Sequence, residues 1–351
     1  MRIAMLTLNA YDNYGNMLQK YALYRTLKKF ADTVEILWLA SLKPFTPYEL
    51  EVNHQAVGNL RDAAFKSVRQ NKFKEFSESN MRTRFDIPDL KDLADRYDFF
   101  VVGSDQVWNP DFYVPSRFLE FAPPEKRVAY AASIAIPELP EKVIENYRQK
   151  ISEMAHVSVR EREGCNLVEE LTGKRPLQVV DPVFLLLPEE WRELAKPPTW
   201  FDPKKYKKGY VLTHFFTGRP PKQVHALAAQ LELPMINLRD IDNFNHYTVG
   251  VEEFLYLADK ATLFCTNNYH ATAFAMIFQR PFIVYKYDNL LLSRFTRMNS
   301  LLNLFKLKDR LTDNKLNIKV KKPLAIDFAT YKKVLPTEQK KALKFLTNAL
   351  W

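Results

Sequence analysis

The 351-residue chain is poor in cysteine and glycine, and each shortage excludes a class of protein. Its two cysteines, Cys165 and Cys265, lie far apart and have no metal-ligand spacing. They provide no disulfide framework, so we expect a protein of a reducing compartment. There are only 8 glycines against 21 prolines, and no internal repeat or biased tract is present, which excludes a repeat or low-complexity protein.

Long apolar runs and common catalytic signatures are missing as well. No stretch reaches the ~18 uninterrupted apolar residues that a membrane span needs. The start, MRIAMLTLNAYDNYGN, has too short an apolar stretch for a signal peptide. The sequence contains no HExxH or other His/Cys ligand spacing, no GxSxG turn and no P-loop. We therefore expect a soluble intracellular protein without a metal site.

The net charge of +10 is concentrated in the C-terminal portion. Residues 286–351 hold 15 Lys/Arg and 5 Asp/Glu, whereas residues 1–285 hold 36 of each kind. A basic portion of this kind suits nucleic acid, an anionic membrane surface or a polyanionic substrate, and it equally suits a solvated, lysine-rich helix face.

Apolar strand-like runs alternate with helix-like segments, which predicts parallel sheets covered by helices on both faces. The length suits two domains, and a break rich in Pro and Lys over residues 187–209 separates two series of runs. We therefore predict an α/β protein with two doubly wound, Rossmann-like domains, 1–195 and 205–320, that face each other across a cleft. Residues 321–351 are predicted to form a helical extension that packs back.

The predicted elements fix where the strand-to-helix turns lie. The predicted strands span residues 2–8, 33–39, 98–103, 127–133, 156–161, 177–186, 210–216, 234–238, 262–266 and 281–286. The predicted helices span 16–30, 220–232, 250–261 and 270–279, and the last 65 residues have a helical pattern. In such sheets, ligands bind at the carboxyl ends of the strands, where loops and helix N-termini converge.

The first turn, LNAYDNYGNMLQ, places Asp12, Asn13 and Asn16 around a single glycine. One glycine is not a dinucleotide fingerprint, which needs three at fixed spacing. The polar residues either cap the following helix or contact a ligand through its N-terminus.

The turn VVGSDQVWNP follows a strand that ends at Gly103 and continues into Ser104, Asp105 and Gln106. The glycine permits a sharp turn, and a carboxylate at the strand end can accept a proton from a hydroxyl. A core tryptophan at position 108 and an N-cap aspartate explain part of the same pattern.

The segment HVSVRERE carries Arg160 and Arg162 at a strand end. If the strand persists, the two side chains share a face and offer planar donors to a carboxylate or phosphate. Alternatively, they are surface arginines that pair with Glu161 and Glu163. A later Asp-Pro at 181–182 has the pattern of a turn former.

The segment TNNYHATAF places His270 just past a strand, near a helix N-terminus. There a histidine and backbone N–H groups can bind a phosphate together, although the polar cluster also suits helix capping alone. Further along, Arg294, Arg297 and Arg310 surround an apolar helical stripe. Most of that stripe is packing, and one arginine could reach an anionic ligand.

Taken together, these turns resemble the polysaccharide pyruvyl transferase family. The matching segments are NYGNMLQKYAL, VVGSDQVWNP, RVAYAASI, VSVRERE, VVDPVFLL, GVEEFLYLADKATLFCTNNYHATAFAMIFQRPFIV and TRMNSLLNLFKLKDRL. They occur in family order and span roughly residues 8–311.

The resemblance implies a glycosyltransferase-B-like fold and the transfer of pyruvate from phosphoenolpyruvate, without a metal or organic cofactor. The product is a cyclic ketal on two hydroxyls of a sugar in a surface polysaccharide or its lipid-linked precursor. Family members hold phosphoenolpyruvate with an arginine and a histidine at the positions of Arg160 and His270. Some carry another arginine where this chain has Asn268, and Arg297 is a candidate to replace it.

This chemistry assigns hypothetical roles to the turn residues. Arg160 clamps an anionic group and His270 neutralises or protonates the phosphate, while Asp105 or Asp12 positions or deprotonates the acceptor hydroxyl. Further candidates for substrate binding are Arg162, Asn268, Arg297, Asn13, Asn16, Ser104 and Gln106.

Two other functions remain open at this stage. A sugar-nucleotide glycosyltransferase shares the two-domain architecture, and fold does not fix function. A nucleic-acid-binding protein suits the basic C-terminal portion, but the lysines are not interleaved with an aromatic platform and no known binding module is present. We expect instead that the basic face lies near anionic inner-leaflet lipids, where a lipid-linked acceptor is held.

Overall fold

Two parallel sheets carry the fold. The computed structural model describes residues 1–38, 60–85, 87, 90–286, 295–312 and 322–351. The first sheet contains β1 (Arg2–Leu6), β2 (Thr33–Leu37), β3 (Thr83–Arg84), β4 (Phe99–Asp105), β5 (Arg127–Ala132), β6 (His156–Val159) and β7 (Leu177–Gln178). The second contains β8 (Val211–His214), β9 (Met235–Asn237), β10 (Leu263–Thr266), β11 (Phe282–Tyr285) and β12 (Leu311–Thr312). The strand orders are β3-β2-β1-β4-β5-β6-β7 and β12-β11-β10-β8-β9.

Helices join the strands and cover both sheets. They are α1 (Tyr14–Leu27), α2 (Leu60–Asn80), α3 (Glu141–Ser152), α4 (Arg162–Thr172), α5 (Pro188–Leu194), α6 (Lys222–Gln230), α7 (Phe244–Tyr247), α8 (Val251–Lys260), α9 (Tyr269–Ile277), α10 (Thr296–Leu304) and α11 (Ala329–Leu350). Among the helices that the structure describes, none combines the length and the apolar composition needed to cross a membrane.

The central strands are buried on both faces because helices cover each sheet from both sides. Ile3, Ala4 and Met5 of β1 are all fully buried, although successive side chains point to opposite faces of the sheet. This burial explains the continuous apolar runs in the sequence. The predicted fold class, two doubly wound α/β domains, is confirmed.

The C-terminal helix packs back onto the first domain, as predicted. Gln339 Nε2 of α11 donates a hydrogen bond to the Phe184 carbonyl oxygen at 2.7 Å, and the Phe345 ring lies 6.3 Å from the Tyr130 ring. The first sheet ends with β7 and the second begins with β8 on the far side of the Pro- and Lys-rich break. The domain limits themselves stay a prediction.

Two predicted elements differ from the structure. The strand predicted over 177–186 ends at Gln178, because Asp181 accepts a hydrogen bond from the Val183 N–H and caps a 3₁₀ helix, Pro182–Leu185. The C-terminal part is not wholly helical, since β12 pairs with β11. Arg294 and the last residue of the strand predicted over 33–39 lie outside the described residues.

Helix α1 lies between the two domains and is buried on almost every side. Its sequence predicts one apolar face, yet polar residues such as Gln19 and Lys20 are buried as well. The Tyr14 hydroxyl donates to the Val249 carbonyl oxygen at 2.7 Å, and the Tyr14 ring stacks on Phe254 of the second domain. The helix is therefore enclosed because its second face packs against the other domain.

Arg69 of α2 also joins the two domains. The residue is 1% exposed, and its guanidinium donates to the carbonyl oxygens of Leu238, Tyr247 and Asp12 at 2.7–3.2 Å. The same group lies 4.5 Å from the centre of the Tyr14 ring. These contacts fix α2 and the start of α1 to the loops of the second sheet.

We expect Arg69→Met to lower the free energy of unfolding by at least ~3 kcal/mol, because each of the three carbonyl oxygens that lose their donor costs roughly 1–3 kcal/mol. The matched control is Arg61→Met on the same helix. Arg61 also reaches the second domain, but its pair with Asp242 is exposed and such pairs contribute about 0–1 kcal/mol. Thermal and urea unfolding measure both changes, and equal losses would contradict the bridging role of Arg69.

Candidate active site

Four segments that are far apart in the sequence meet between the carboxyl ends of the two sheets. Asp105 ends β4, Arg160 follows β6, Asp181 follows β7, and His270 is the second residue of α9, which follows β10. Their exposures are 3, 5, 0 and 5%, in that order. Parallel strands bring their carboxyl ends to one edge of a sheet, so the topology of the two sheets builds this cluster.

The Arg160 guanidinium is the centre of a buried ion network. Nη2 donates to Asp105 Oδ1 at 3.0 Å and Nη1 donates to Asp181 Oδ2 at 2.5 Å. The guanidinium also lies 4.5 Å from the centre of the Tyr269 ring. Burial by itself lowers the pKa of Arg160, but the neighbouring carboxylates outweigh it and raise the pKa above its usual range.

The backbone before Asp105 aims its side chain into the interface between the domains. Asp105 has a φ of 66°, in the left-handed region that aspartate tolerates better than most residues. Gly103 has a φ of +127°, and a Cβ there would lie 2.0 Å from the Tyr130 carbonyl oxygen. Only glycine fits this position, so the sharp turn predicted at Gly103 is a steric requirement.

Asp105 accepts hydrogen bonds on both carboxylate oxygens. Oδ1 accepts from Arg160 and from Arg297 Nη1 at 3.1 Å, while Oδ2 accepts from Asn16 Nδ2 at 2.6 Å. Burial alone raises the pKa of Asp105, but the positive charges of Arg160, His270 and Arg297 hold it well below its usual range. The carboxylate is therefore ionised and is a weak proton acceptor.

Asp181 serves two different contacts with its two oxygens. Oδ1 accepts the Val183 N–H at 3.1 Å, which caps the 3₁₀ helix, and Oδ2 faces both Arg160 and His270 Nε2, the latter at 3.3 Å. Burial raises the pKa of Asp181, but the His270 and Arg160 side chains lower it by more, so that the pKa lies below its usual value. One residue thus forms the turn and orients two functional side chains.

The His270 ring is wedged against α1 of the other domain. A Cβ at Gly15, the second residue of α1, would lie 2.1 Å from His270 Nδ1. The absence of a side chain at Gly15 lets the imidazole approach the helix backbone closely. With the Nδ1 edge against α1, Nε2 faces Asp181.

Two helix N-termini converge on the same place. Asn13 caps α1 by accepting the Asn16 N–H at 3.2 Å, and Asn268 caps α9 by accepting the Ala271 N–H at 3.0 Å. Neither helix has an acidic residue in its first turn. Both partial positive charges therefore act on the space around His270.

Further basic side chains raise the positive potential near His270. Burial, together with the charges of Arg239, Arg69 and His270, lowers the pKa of the buried His214 well below its usual value. His214, the last residue of β8, is therefore neutral at pH 7.

A second guanidinium reaches the network from α10. Arg297, in its first turn, donates to Asp105 and lies 5.9 Å from the centre of the Tyr269 ring. Asn268 is the N-cap of α9, and its side chain accepts the Ala271 N–H. Arg297 thus brings a positive charge to the site that the residue at 268 does not supply.

Two predicted turn residues support the backbone. Ser104 Oγ donates to the Ala131 carbonyl oxygen at 2.8 Å, and Gln106 Oε1 accepts from Asn109 Nδ2 at 2.8 Å. Both contacts hold the turn after β4 in shape. Asn16, by contrast, joins the ion network directly through its side chain.

Two other predicted residues lie apart from the network. The strand predicted over 156–161 ends at Val159 and α4 begins at Arg162, so the strand does not persist as far as a shared face for the two arginines would require. Arg162 is exposed, and its backbone N–H donates to Ser300 Oγ at 3.1 Å. Asp12 is partly buried before α1, and its carbonyl oxygen accepts from Arg69.

Sequence reasoning missed Asp181 and Tyr269. The Asp-Pro pattern correctly predicted a turn, but the second oxygen of Asp181 has no sequence signal. Tyr269 is 7% exposed and packs beneath both Arg160 and Arg297. Its place beside His270 at the start of an apolar helix was the available signal.

The arrangement suits a small ligand with two anionic groups. Two guanidinium groups, a histidine and two helix N-termini lie together in this buried region, where charge-assisted hydrogen bonds are stronger than in water. The described part of the chain contains no group of three His, Cys, Asp or Glu side chains that could hold a metal ion.

Comparisons with known proteins identify the sequence and the fold separately. The family model described as polysaccharide pyruvyl transferase matches residues 13–289, well over half of the chain. No curated protein matches the chain. The UDP-GlcNAc 2-epimerase from Methanocaldococcus jannaschii superposes with a TM-score of 0.50 and 11% identity, covering 99% of this chain and 100% of that one. Another UDP-N-acetylglucosamine 2-epimerase gives 0.50 and 10%, covering 98% and 90%. At such identities the likeness concerns the fold alone, and it confirms the predicted glycosyltransferase-B-like architecture.

We expect Gly15→Ala to displace the His270 ring, because the new methyl group overlaps Nδ1. Alanine is a better helix former than glycine by about 1 kcal/mol, so the fold itself should tolerate the change. Imidazole NMR signals of the six histidines, with His270 assigned through His270→Gln, measure the displacement.

The matched control is Gly164→Ala in α4, where a Cβ meets its nearest neighbour, Glu161 Oε1, at an ordinary 3.4 Å. This variant should leave the His270 signals in place. An unshifted His270 signal in Gly15→Ala would refute the wedged geometry.

Proposed function

The chain belongs to the polysaccharide pyruvyl transferase family, as its motifs predicted, and we propose that it transfers the pyruvyl group of phosphoenolpyruvate to two hydroxyls of one sugar. The product is a pyruvate ketal on a surface polysaccharide or its lipid-linked precursor. The observation that supports this most is the buried Arg160 guanidinium, with Arg297, His270 and two helix N-termini around it. Phosphoenolpyruvate carries a carboxylate and a phosphate, and both need fixed cations and oriented N–H donors.

In this proposal the arginines bind phosphoenolpyruvate, and the aspartates position the arginines. Arg160 clamps one anionic group of phosphoenolpyruvate, and Arg297 adds the second cation. Asp105 accepts hydrogen bonds from both guanidinium groups, and Asp181 accepts one from Arg160, so the two carboxylates hold the arginines in place. The low pKa of Asp105 makes it a poor general base, so we assign it the positioning of the arginines and of the acceptor hydroxyl.

His270 is the proposed catalytic residue for proton transfer. Its Nε2 edge faces the network, and the 3.3 Å separation from Asp181 is long enough to shorten or exchange when a ligand binds. An imidazolium at this position neutralises the phosphate and supplies a proton. Gly15 keeps the ring in this orientation by leaving room for its other edge.

The proposed bond changes balance without an external oxidant or reductant. The proton that His270 supplies adds to the methylene carbon of phosphoenolpyruvate, and the first sugar hydroxyl attacks the resulting oxocarbenium-like carbon and gives its own proton to the now neutral His270. The second hydroxyl then attacks the same carbon, the carbon–oxygen bond to phosphate breaks, and phosphate leaves with the second hydroxyl proton. The proposal uses no metal or organic cofactor.

Burial of the network has a consequence for catalysis. The side chains that would meet phosphoenolpyruvate are at most 10% exposed and lie between two domains. We therefore propose that the domains separate for ligand entry and close around it. A closed site keeps water away from the oxocarbenium-like carbon, which would otherwise hydrolyse to pyruvate.

Incubation with phosphoenolpyruvate and a panel of lipid-linked sugars tests the activity. We expect an acceptor whose mass increases by one pyruvyl ketal, with the release of one phosphate. His270→Ala should lower turnover by ~10²–10³, the usual effect of removing one transition-state donor. The control, His225→Ala, changes an exposed histidine of the second domain and should retain full turnover.

Thermal stabilisation by ligands separates this activity from that of a sugar-nucleotide glycosyltransferase. Phosphoenolpyruvate should raise the melting temperature of the wild type, and Arg160→Lys should abolish that increase. Stabilisation by UDP-GlcNAc and not by phosphoenolpyruvate would favour the glycosyltransferase. Unchanged turnover in His270→Ala would remove that residue from the mechanism.

We also propose that the protein acts at the cytoplasmic face of the membrane, where a lipid-linked acceptor is held. The support is the lysine-rich face of α11, where Lys332, Lys333, Lys340 and Lys344 are all exposed. Each basic residue near an anionic leaflet contributes about 1 kcal/mol of attraction.

Vesicle sedimentation measures this attraction. Binding should rise with the fraction of phosphatidylglycerol and fall with salt, and replacement of the four lysines by glutamine should weaken it without changing turnover on a soluble acceptor. Binding that does not depend on anionic lipid, or on these lysines, would argue against the membrane contact.

A further inference from the structure

The side of α1 that carries Asn16 and Lys20 lies next to the ion network. Asn16 and Lys20 are four residues apart, so their side chains lie on the same side of the helix. Asn16 contacts Asp105 directly, and helical side chains tilt toward the N-terminus, which is the end of α1 that faces the network. Lys20 therefore lies one helical turn from the residue that binds Asp105.

Lys20 is a buried cation without an anionic partner. The residue is 1% exposed, and Nζ donates to Asn9 Oδ1 at 3.2 Å. Within the described residues no carboxylate forms an ion pair with it. An ammonium group has three donors, of which Asn9 accepts one. Burial lowers the pKa of Lys20 to about 8, which shows how little its surroundings compensate the charge.

Aromatic rings surround this ammonium and continue to the surface. Nζ lies 5.9 Å from the centre of the Tyr11 ring and 5.8 Å from that of Trp38, and these two rings stack at 5.2 Å. Trp38 and Tyr11 are partly buried, and the Trp38 ring lies 5.8 Å from Phe85, which is 52% exposed. The three rings thus form an aromatic wall that runs from the buried lysine to the exposed surface.

The cluster stands at the ligand-binding edge of the first sheet. Asn9 and Tyr11 follow β1, and Trp38 follows β2, so all three lie past the carboxyl ends of neighbouring strands. Pockets for small ligands combine aromatic walls with a few converging polar groups. None of these residues contributes to the Arg160 network, so that network does not account for their arrangement.

We propose that Tyr11, Trp38, Lys20 and Asn9 form the subsite for the acceptor sugar, an inference that rests on the proposed function. A pyranose has apolar C–H faces and a rim of hydroxyls. The aromatic wall packs against a face, while Lys20 Nζ and the amide of Asn9 bind hydroxyls. Because Lys20 is one turn from Asn16, a sugar held here has neighbouring hydroxyls near Asp105, where the ketal carbon is formed.

The variants for the test are Trp38→Ala, Trp38→Phe and Lys20→Met, and the matched control is Lys29→Met. Lys29 is exposed just past the end of α1. Trp38→Phe keeps a ring, and Lys20→Met keeps the length of the stem without the charge. The melting temperature of each variant shows whether it is folded. If Lys20→Met does not fold, the test rests on Trp38→Ala and Trp38→Phe.

Saturation-transfer NMR measures binding of three pyranoside probes, methyl β-galactoside, methyl β-glucoside and methyl α-mannoside, and separately the binding of UMP. We expect at least one probe to bind the wild type and the control equally. Trp38→Ala and Lys20→Met should lower the affinity for that probe by about tenfold, which corresponds to about 1.4 kcal/mol. Trp38→Phe should lower the affinity less. The increase in melting temperature with phosphoenolpyruvate should be the same in all five proteins.

The outcomes separate this subsite from the proposed function. Equal probe binding in all variants, or no probe binding to the wild type, overturns the subsite while phosphoenolpyruvate still stabilises the protein. If probe binding depends on Trp38 and Lys20 but phosphoenolpyruvate does not stabilise the protein, the result supports a sugar subsite and contradicts the proposed pyruvyl transfer. Dependence of UMP binding, and not of pyranoside binding, on the same residues assigns the cluster to a nucleotide and overturns the subsite.

Discussion

The salt bridges of Arg160 with Asp105 and Asp181 are the constraint on which the rest of the site depends. All three groups are buried, and a buried charge that loses its partner costs several kcal/mol, so none of them can move independently. Arg297 and His270 attach to the same two carboxylates from the second half of the chain. The position of each domain relative to the other is therefore tied to the geometry of the cations. The same contacts therefore fix both the positions of the cations and the packing of the two domains against each other.

Helix α1 extends this constraint across the interface. Its N-terminal turn meets the second domain through Tyr14 and Gly15, its Asn16 side chain binds Asp105, and Lys20 faces the aromatic wall one turn later. A helix enclosed on both sides can carry polar residues at so many positions only because each has a defined partner. Gln19 and Lys20, which are buried although they are polar, are the sequence trace of this double role.

The local rules that predicted the strands also show where prediction stops. Continuous apolar runs located the central strands within a few residues, and the strand-end turns contained Asp105, Arg160 and His270. The same rules extended β6 to Glu161, two residues too far, and treated Asp181 as a turn former. Periodicity cannot show where a strand gives way to a helix when the next residues are all charged. Asp181 caps a turn with one carboxylate oxygen and binds Arg160 with the other, and the local sequence predicts only the capping.

The sequence by itself determined two parallel α/β domains, the turns that carry polar residues, and the membership of the family. These properties depend on hydrophobic periodicity and on short motifs, which are set by residues a few positions apart. Only the tertiary structure decided which of the polar residues meet. Residues 105, 160, 181, 270 and 297 come together because two sheets present their carboxyl ends to each other across α1. Contacts between residues so distant in the chain follow from packing of the whole molecule, and no local pattern encodes them.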